Sequence, residues 1–328
     1  MKLLREQSIK IIFLSLVIFS CQNNLKENKH ILVGNLLWVN ESMEDSVIKV
    51  AVKETIENSS IIVCQISWSP NDKRFFSNVE WYYNLAEESN KPFMLNIDWM
   101  SPNRSSTNGD WSFESKEMRE LFDKDISTLV KNYNPEFLTL GIEVNYYALI
   151  CPNGYKEFVT LFNSIKTQLK KQYPSMKIGL SFQLELLYGV HVGWKGNKAI
   201  EPLTVIDDNC DYIGISLYPD IAESGLRQTN FTDYLDSVCS ITPQPIGISE
   251  TGMSSIHFKE STRVNFLNQI YNKAEKFNMM FVIWGTVNDD VRFYDWKSRL
   301  GMIDVHGVPK KEYLQWKKRN KNLIDKVR

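Results

Sequence analysis

Two glutamates, Glu143 and Glu250, lie in short apolar runs of this 328-residue chain, LGIEVN and GISETG. If both runs end at one opening, the two carboxyl groups could act as a pair. One would donate a proton to a departing oxygen, and the other would attack or stabilise a sugar cation. A single glutamate in an apolar run is more often structural, so this chemistry depends on a fold that brings the two together.

Eight short apolar runs recur along the chain at a spacing of roughly 30 to 45 residues, which is the size of a strand followed by a helix. Near-continuous apolar strands that alternate with amphipathic helices indicate a parallel sheet covered by helices. The runs cover residues 31–38, 61–68, 92–99, 137–145, 177–186, 211–219, 245–252 and 279–286. They predict an α/β fold, a single (β/α)₈ TIM barrel that forms one domain over residues 31–328.

The stretches between the runs support this fold. Residues 116–133, 153–172 and 261–277 each carry apolar side chains at the spacing of one buried helical face. An open doubly wound sheet is the competing fold. It usually has a G-x-G-x-x-G loop after its first strand, and GNLLWVNES at 34–42 lacks one.

In such a barrel the chemistry lies at the C-terminal ends of the strands. Polar groups there can bind sugar hydroxyls, and aromatic faces can stack on sugar rings. The candidate substrate-binding residues are Asn96, Asp98, Asn145, Gln183, Tyr218, Trp68, Trp99 and Trp284. Trp38, Trp68 and Trp99 are equally compatible with the core, and Asp98 with a role in organising hydrogen bonds. Glu185 is a third carboxyl candidate, for which we prefer a structural ion pair.

The other tryptophans are interpreted by their surroundings. Trp111 and Trp194 fall in polar loops, where an exposed large apolar ring often marks a binding site, so we predict that both contact the substrate. For Trp81, Trp296 and Trp316, on or near helices, we predict packing. The long loops at 101–115, 188–203 and 220–232 could wall a groove, which favours endo action on a polymer.

Composition and missing motifs exclude other classes. The chain has 38 basic and 39 acidic side chains and a net charge of −1, so it lacks the basic excess of a nucleic-acid binder. His191 and His257 have no partner at metal-ligand spacing, and we expect no metal. The chain shows no cofactor motif and no G-x-S-x-G elbow. We therefore expect no cofactor, and we expect a monomer.

The N-terminus has the features of an export signal. Basic residues precede an apolar run at 11–19 that is too short to span a bilayer, which predicts a signal peptide over 1–20. Ile18-Phe19-Ser20-Cys21 resembles a bacterial lipobox, so Cys21 would be lipidated and residues 21–30 would form a tether. We expect export and a lipid anchor in the cell envelope. An ordinary exported protein cleaved near Ser20 is the alternative.

Export would also place the remaining cysteines in an oxidising compartment, where disulfides persist. Cys64, Cys151, Cys210 and Cys239 allow three full pairings, among which the sequence does not choose. Cys64 lies in an apolar run, which favours a buried, unpaired side chain.

Four motifs together resemble the large clan of retaining (β/α)₈ glycosidases: LGIEVN, GISLYP, GISETG and VIWG. The ending LGMIDVHGVPKKEYLQW at 300–316 resembles that clan as well. Within it, GIEVN and YIGISLYP are most similar to the endo-β-1,4-galactanases. The resemblance implies a carbohydrate substrate and assigns Glu143 as acid/base and Glu250 as nucleophile. It also implies that Tyr218 hydrogen-bonds the nucleophile and that Trp284 forms the floor of the subsite holding the attacked sugar.

Retention requires the two carboxyl groups to lie about 5–5.5 Å apart. We expect Glu143 to be partly desolvated so that it holds a proton, and Glu250 to be kept ionised by donors such as Tyr218.

One departure from the clan concerns the residue before the acid/base. The clan has Asn there, in contact with the sugar 2-hydroxyl, whereas this chain has Ile142. Loss of that contact is expected to slow catalysis. Asn145, Asn96 or Gln183 could substitute. The departure leaves open a non-catalytic glycan-binding surface lipoprotein on the same barrel.

Overall fold

The computed structural model describes residues 30–38, 44–72, 74–194, 196–206, 209–223, 232–290 and 295–325. The predicted signal peptide, Cys21 and the tether up to residue 29 lie outside the described residues, as does most of the loop 220–232. In the described part of the chain, no helix is both long and apolar enough to cross a membrane.

Eight parallel strands form one sheet, which confirms the predicted (β/α)₈ barrel. The order is β1-β8-β7-β6-β5-β4-β3-β2, and a parallel bridge between Leu36 and Val63 brings the first strand against the second. The strands are β1 Leu32–Asn35, β2 Ile62–Ser67, β3 Phe93–Asp98, β4 Phe137–Thr139, β5 Lys177–Gln183, β6 Tyr212–Leu217, β7 Ile246–Thr251 and β8 Phe281–Trp284.

Helices follow the strands and cover the sheet. Their bounds are α1 Asp45–Asn58, α2 Arg74–Ser89, α3 Lys116–Tyr133, α4 Val144–Ile150, α5 Pro152–Gln172, α6 Leu184–Leu187, α7 Glu201–Ile206, α8 Asp233–Ile241, α9 Glu260–Lys276 and α10 Lys311–Asp325. The three predicted helices are confirmed as α3, α5 and α9. Local signals fix their ends: the Ser115 side chain caps α3, and Asn134 ends it in a left-handed conformation.

Side chains alternate between the two faces of each strand and fill two separate cores. Phe281 and Ile283 of β8 belong to a cluster inside the barrel, whereas Val282 and Trp284 belong to the layer between the sheet and the helices. Polar groups also meet inside the barrel, where the Thr139 hydroxyl donates to Asn96 Oδ1 over 2.6 Å.

The fourth strand is shorter than predicted. It ends at Thr139, and α4 begins at Val144. Glu143 lies between them with φ 53° and ψ 43°, in the left-handed region. The predicted strand 137–145 therefore ends before Glu143, and this turn, not strand alternation, directs the Glu143 side chain.

No disulfide joins the four cysteines that the structure describes. Cys64 is completely buried among apolar side chains, as its sequence context indicated, and burial raises the pKa of its thiol. The described part of the barrel therefore contains no disulfide.

Candidate active site

A cavity of about 420 Å³ opens at the C-terminal ends of the strands and is lined by both predicted carboxylates. Its lining includes Trp38, Gln65, Asp98, Arg104, Glu143, Tyr146, Gln183, His191, Trp194, Tyr218, Glu250 and Trp296. The loops after β3 and β5 contribute Arg104, His191 and Trp194, and Ile221 comes from the described part of the loop 220–232, so all three loops predicted to wall the site contribute to its lining.

Glu143 is held through both of its carboxylate oxygens. Oε1 accepts a hydrogen bond from the Ser216 hydroxyl over 2.6 Å, and Oε2 accepts one from Arg104 Nε over 2.8 Å. Ser216 lies on β6, and Arg104 lies in the loop after β3. The residue is 6% exposed, so these contacts replace most of its hydration.

Glu250, near the end of β7, accepts a hydrogen bond from the Tyr218 hydroxyl over 2.5 Å. This is the contact that the sequence resemblance implied. Burial, followed by the charge of Glu143, raises the pKa of Glu250 to about 7, although the Tyr218 hydroxyl and Arg104 oppose the shift. The expectation that donors keep Glu250 firmly ionised is therefore wrong, because desolvation outweighs them.

Arg104 is a site residue that the sequence reasoning missed. Its Nη1 donates to Asp98 Oδ1 over 2.6 Å while its Nε donates to Glu143, so one guanidinium joins two carboxylates. Burial would lower the pKa of Arg104, but the charges of Asp98 and Glu143 prevail and raise it. The available signal was that Arg104 is the only basic residue of the loop 101–115.

Asp98 lines the cavity and organises the Arg104 guanidinium, which agrees with one of its two predicted roles. Burial raises the pKa of the Asp98 carboxyl despite the opposing charge of Arg104. Gln183 lines the cavity as well, and its Oε1 accepts from the Ser216 hydroxyl over 3.2 Å.

Glu185 lies in α6, completely buried beside the site. Its Oε1 accepts from the Tyr218 backbone N–H over 2.6 Å, and its Oε2 accepts from the Gln183 amide. Among the described residues it forms no salt bridge, so the preferred ion-pair interpretation is wrong. Burial raises the pKa of Glu185 to about 8, and the carboxyl group is therefore largely neutral near pH 7.

Two predicted substrate-binding amides have structural roles instead. Asn145 is fully buried: its Nδ2 donates to the Gln183 carbonyl over 3.0 Å and its Oδ1 accepts from the Gln183 N–H over 2.9 Å. It thereby ties α4 to the end of β5. Asn96 is fully buried in the barrel below the cavity, where it accepts from Thr139. Neither side chain lines the cavity.

Three predicted substrate-binding tryptophans belong to the core. Trp68 and Trp99 are 0% exposed, and Trp284 is 2% exposed. Strand alternation explains all three, because each points away from the barrel axis into the helix layer. The Trp68 indole donates to Asp125, the Trp99 indole donates to the Leu140 carbonyl, and Trp284 packs near Phe266 of α9. None of the three lines the cavity.

The aromatic wall of the cavity is formed by other residues. Trp38, Trp194 and Trp296 line it, and the Trp296 ring lies 5.2 Å from the Tyr218 ring. The prediction that Trp296 only packs is wrong, because its segment follows β8 and lies at the cavity mouth. The prediction of substrate contact for Trp111 is also wrong: its ring packs on Trp68, 4.8 Å away, and does not line the cavity.

Trp316, Trp81 and His257 do not line the cavity. Trp316 is fully buried against Tyr313, as predicted, and Trp81 packs on Tyr82 while 39% exposed. His257 Nδ1 lies 2.8 Å from the buried Asp220 carboxylate. Among the described residues, no cluster of three or more His, Cys, Asp or Glu side chains could hold a metal ion.

Solved structures with a similar fold include several glycoside hydrolases. An exo-β-1,4-mannosidase from Opitutaceae bacterium strain TAV5 superposes with a TM-score of 0.68 at 14% identity, over 92% of this chain and 62% of that one. A family 39 glycoside hydrolase from Bacteroides cellulosilyticus WH2 gives 0.62 at 14% identity, over 91% and 65%. A β-glucosidase from Thermotoga maritima gives 0.60 at 12% identity, over 84% and 85%.

At these identities the similarity establishes the barrel fold. The chain spans less than two thirds of the length of the first two proteins. No family model and no curated protein matches the sequence.

Proposed function

We propose that this chain is a retaining glycoside hydrolase that acts on a β-linked polysaccharide or oligosaccharide. The observation that carries the proposal is the shared cavity: Glu143 after β4 and Glu250 in β7 are both buried there, and Tyr218 donates to Glu250. The similarity of the barrel to those of proteins named as a β-mannosidase and a β-glucosidase supports the same class of substrate.

In this mechanism Glu250 is the nucleophile and Glu143 the acid/base. Glu250 attacks the anomeric carbon while Glu143 gives its proton to the glycosidic oxygen, which releases the leaving group and forms a glycosyl ester. Glu143 then removes a proton from water, whose oxygen attacks the anomeric carbon and frees Glu250. Tyr218 stabilises the Glu250 carboxylate before it attacks and again when the second step frees it.

For the substrate, we propose first a neutral β-1,4-linked polymer such as galactan, cleaved internally. The galactanase-like segments around Glu143 and Tyr218 favour galactan. The indoles of Trp38, Trp194 and Trp296 offer stacking surfaces around the carboxylates, and loops from two sides of the barrel line the cavity. We expect the protein to act as a monomer without a cofactor.

The deciding experiment is a hydrolysis screen on a panel of β-glycans, with the anomer of the first product determined by NMR. We expect cleavage with retention, and a loss of at least about 10³-fold in Glu250→Ala. Glu117→Ala, an exposed carboxylate near the start of α3, is the matched control and is expected to retain activity. Equal cleavage by the wild type and Glu250→Ala would refute the assignment of the nucleophile.

A second candidate function is glycan binding without cleavage. Ile142 in place of the clan's Asn favours it, because the site then lacks one expected contact with the substrate. If the wild type binds a glycan in calorimetry yet releases no product from it, the binding function replaces the hydrolase.

We further propose export and lipidation at Cys21, on the basis of the lipobox-like Ile18-Phe19-Ser20-Cys21. Metabolic labelling with a fatty acid is expected to mark the wild type, and Cys21→Ala is expected to remain unlabelled. Labelling of both would rule out Cys21 as the attachment site.

A further inference from the structure

The cavity has an aromatic group beside Glu143 that is separate from the aromatic residues beside Glu250. Tyr146 follows Glu143 in the first turn of α4, where its backbone N–H donates to the Glu143 carbonyl over 3.1 Å. The centre of the Tyr146 ring lies 5.6 Å from that of His191 and 6.1 Å from that of Trp194, and both contacts are edge to face. His191 and Trp194, from the loop after β5, therefore lie on the Glu143 side of the cavity.

A second aromatic group lies beside Glu250. The Tyr218 hydroxyl donates to Glu250, and the Trp296 ring lies 5.2 Å from the Tyr218 ring. Trp296 belongs to the segment after β8, and β8 is the neighbour of β7, the strand that carries Glu250. Each carboxyl group thus has its own indole nearby, Trp194 for Glu143 and Trp296 for Glu250.

The proposed reaction gives the two sides different roles. When Glu250 attacks, the sugar on one side of the cleaved bond stays attached to Glu250. The sugar on the other side leaves with the oxygen that receives the proton of Glu143. Position alone therefore assigns Trp296 to the retained sugar, and His191 with Trp194 to the departing sugar.

His191 can donate a hydrogen bond to a sugar hydroxyl. Its Nδ1 accepts from the Gly193 backbone N–H over 3.0 Å, so in the neutral ring the hydrogen is on Nε2. Burial lowers the pKa of His191, although the charge of Glu143 opposes the shift, and the ring is therefore mostly neutral near pH 7. Among the described residues Nε2 has no hydrogen-bond partner, so this donor is available to a ligand.

The loop that carries the two side chains is held in place by its neighbour. His191 pairs with Ala222 in an antiparallel bridge, and the Glu223 N–H donates to the Val190 carbonyl over 2.9 Å. Within the loop, the Trp194 N–H donates to the His191 carbonyl over 3.0 Å. The indole and the imidazole are thus positioned before a ligand arrives, which favours binding because less conformational freedom is lost.

We propose that His191 and Trp194 form the subsite for the departing sugar, an inference that rests on the proposed hydrolase function. The Trp194 indole stacks on the apolar face of that sugar, and His191 Nε2 donates to one of its hydroxyls. The enzyme therefore acts best on bonds whose leaving group is itself a sugar.

Two substrates that share the retained sugar test this assignment: a β-1,4-linked oligosaccharide that the enzyme cleaves, and the β-glycosyl fluoride of the same sugar, whose leaving group is only fluoride. Trp194→Ala is expected to lower kcat/KM on the oligosaccharide by about 10-fold or more and to leave the fluoride within about twofold. His191→Ala is expected to lower the oligosaccharide value by about 2- to 10-fold, again with little change on the fluoride.

Two variants serve as controls. Trp296→Ala is expected to lower kcat/KM on both substrates, because it removes a surface for the retained sugar. Trp81→Ala, at a ring that is 39% exposed outside the cavity, is expected to change neither. Retained activity on the fluoride also shows that Trp194→Ala is folded. Equal losses on both substrates in Trp194→Ala, or no loss on either, would overturn the assignment.

A binding measurement separates this inference from the proposed function. Calorimetry on Glu250→Ala with the β-1,4-linked tetrasaccharides of galactose, glucose and mannose requires no cleavage. Removal of the Trp194 indole in that background is expected to weaken the tightest tetrasaccharide by about 10-fold. An unchanged affinity, or no binding of any of the three, refutes the subsite even in an active enzyme. A weakened affinity, in a protein whose wild type hydrolyses nothing, refutes the hydrolase and retains His191 and Trp194 as a sugar-binding surface.

Discussion

The Tyr218 hydroxyl donates a 2.5 Å hydrogen bond to Oε1 of Glu250, inside a cavity where burial acts against the charge of that carboxylate. The backbone N–H of Tyr218 donates at the same time to Glu185. One residue therefore contacts two buried carboxyl groups, one lining the cavity and the other behind it. The bond to Glu250 favours its ionised form, which a nucleophile needs.

Tyr218→Phe is expected to make the proposed nucleophile Glu250 less reactive while it leaves the other side chains of the site in place. Loss of a hydrogen bond to a charged group costs about 1.5–3 kcal/mol, which predicts a fall in kcat/KM of roughly 10- to 100-fold. The acid limb of the pH profile is expected to move upward by about one unit or more, since the lost donor stabilised the anion. Tyr155→Phe, whose hydroxyl donates to Pro202 away from the cavity, is the control and is expected to change neither. An unshifted acid limb in Tyr218→Phe would contradict the assignment.

The wild-type activity is expected to rise with pH through neutrality. Burial and the charge of Glu143 raise the pKa of Glu250 to about 7, and attack requires the ionised form. The ionised fraction of Glu250 therefore rises through neutrality and reaches one half at about pH 7. A kcat/KM profile in buffers of constant ionic strength measures this, and an acid limb near pH 4 would show that Glu250 is not held as we describe.

Glu185 is expected to make the protein less stable as the pH rises. Its pKa is raised from 4.5 to about 8 in the folded state, so the folded protein keeps a proton that the unfolded chain releases. Its contribution to stability is complete below about pH 4.5 and is lost progressively up to about pH 8. Within that window it lowers the free energy of unfolding by about 1.4 kcal/mol per pH unit.

Glu185→Gln tests this contribution, because a rotated Gln183 amide can still pair with the new side chain. Urea unfolding at several pH values is expected to show a flatter dependence for Glu185→Gln than for the wild type. The exposed substitution Glu117→Gln is expected to keep the wild-type slope. Parallel curves for the wild type and Glu185→Gln would mean that Glu185 is ionised in the fold.

Two tryptophan variants are expected to distinguish a tryptophan that stabilises the core from one that binds substrate. Trp68→Ala removes a fully buried ring and is predicted to lower the free energy of unfolding by about 3–5 kcal/mol, with little effect on KM once folded. Trp296→Ala removes a cavity-lining ring and is predicted to raise KM with a loss of stability below about 1 kcal/mol. Denaturant unfolding and Michaelis kinetics on both variants check this. A raised KM in Trp68→Ala without a loss of stability would indicate that Trp68 binds the sugar.

The barrel could be predicted from the sequence because each parallel strand is buried on both faces and reads as an apolar run. The same runs contained a further signal. Strand alternation places Trp99 opposite Asp98, so the two residues could not both face the cavity. Once the inward side of a strand is fixed by Asn96 and Asp98, Trp99 follows as a core residue, and the same reasoning applies to Trp68 and Trp284.

Other parts of the site could not be read from local patterns. The run LGIEV stays apolar beyond the last residue of β4, so periodicity gave no sign that the strand ends at Thr139. The pairing of Arg104 with Glu143 joins positions 39 residues apart and depends on the conformation of a loop. The raised pKa of Glu250 results from burial by the whole cavity, which no short segment encodes.

The left-handed backbone at Glu143 lowers the stability of the fold at a position whose side chain the proposed reaction needs. An L-residue other than glycine loses about 1–2 kcal/mol in that conformation, and glycine would relieve the loss. Glycine at 143 would nevertheless not stabilise the barrel, because it would also remove the carboxylate that pairs with the buried Arg104 and accepts from Ser216. A designer who wants a more stable and still active variant must therefore keep Glu143 and gain stability elsewhere in the barrel.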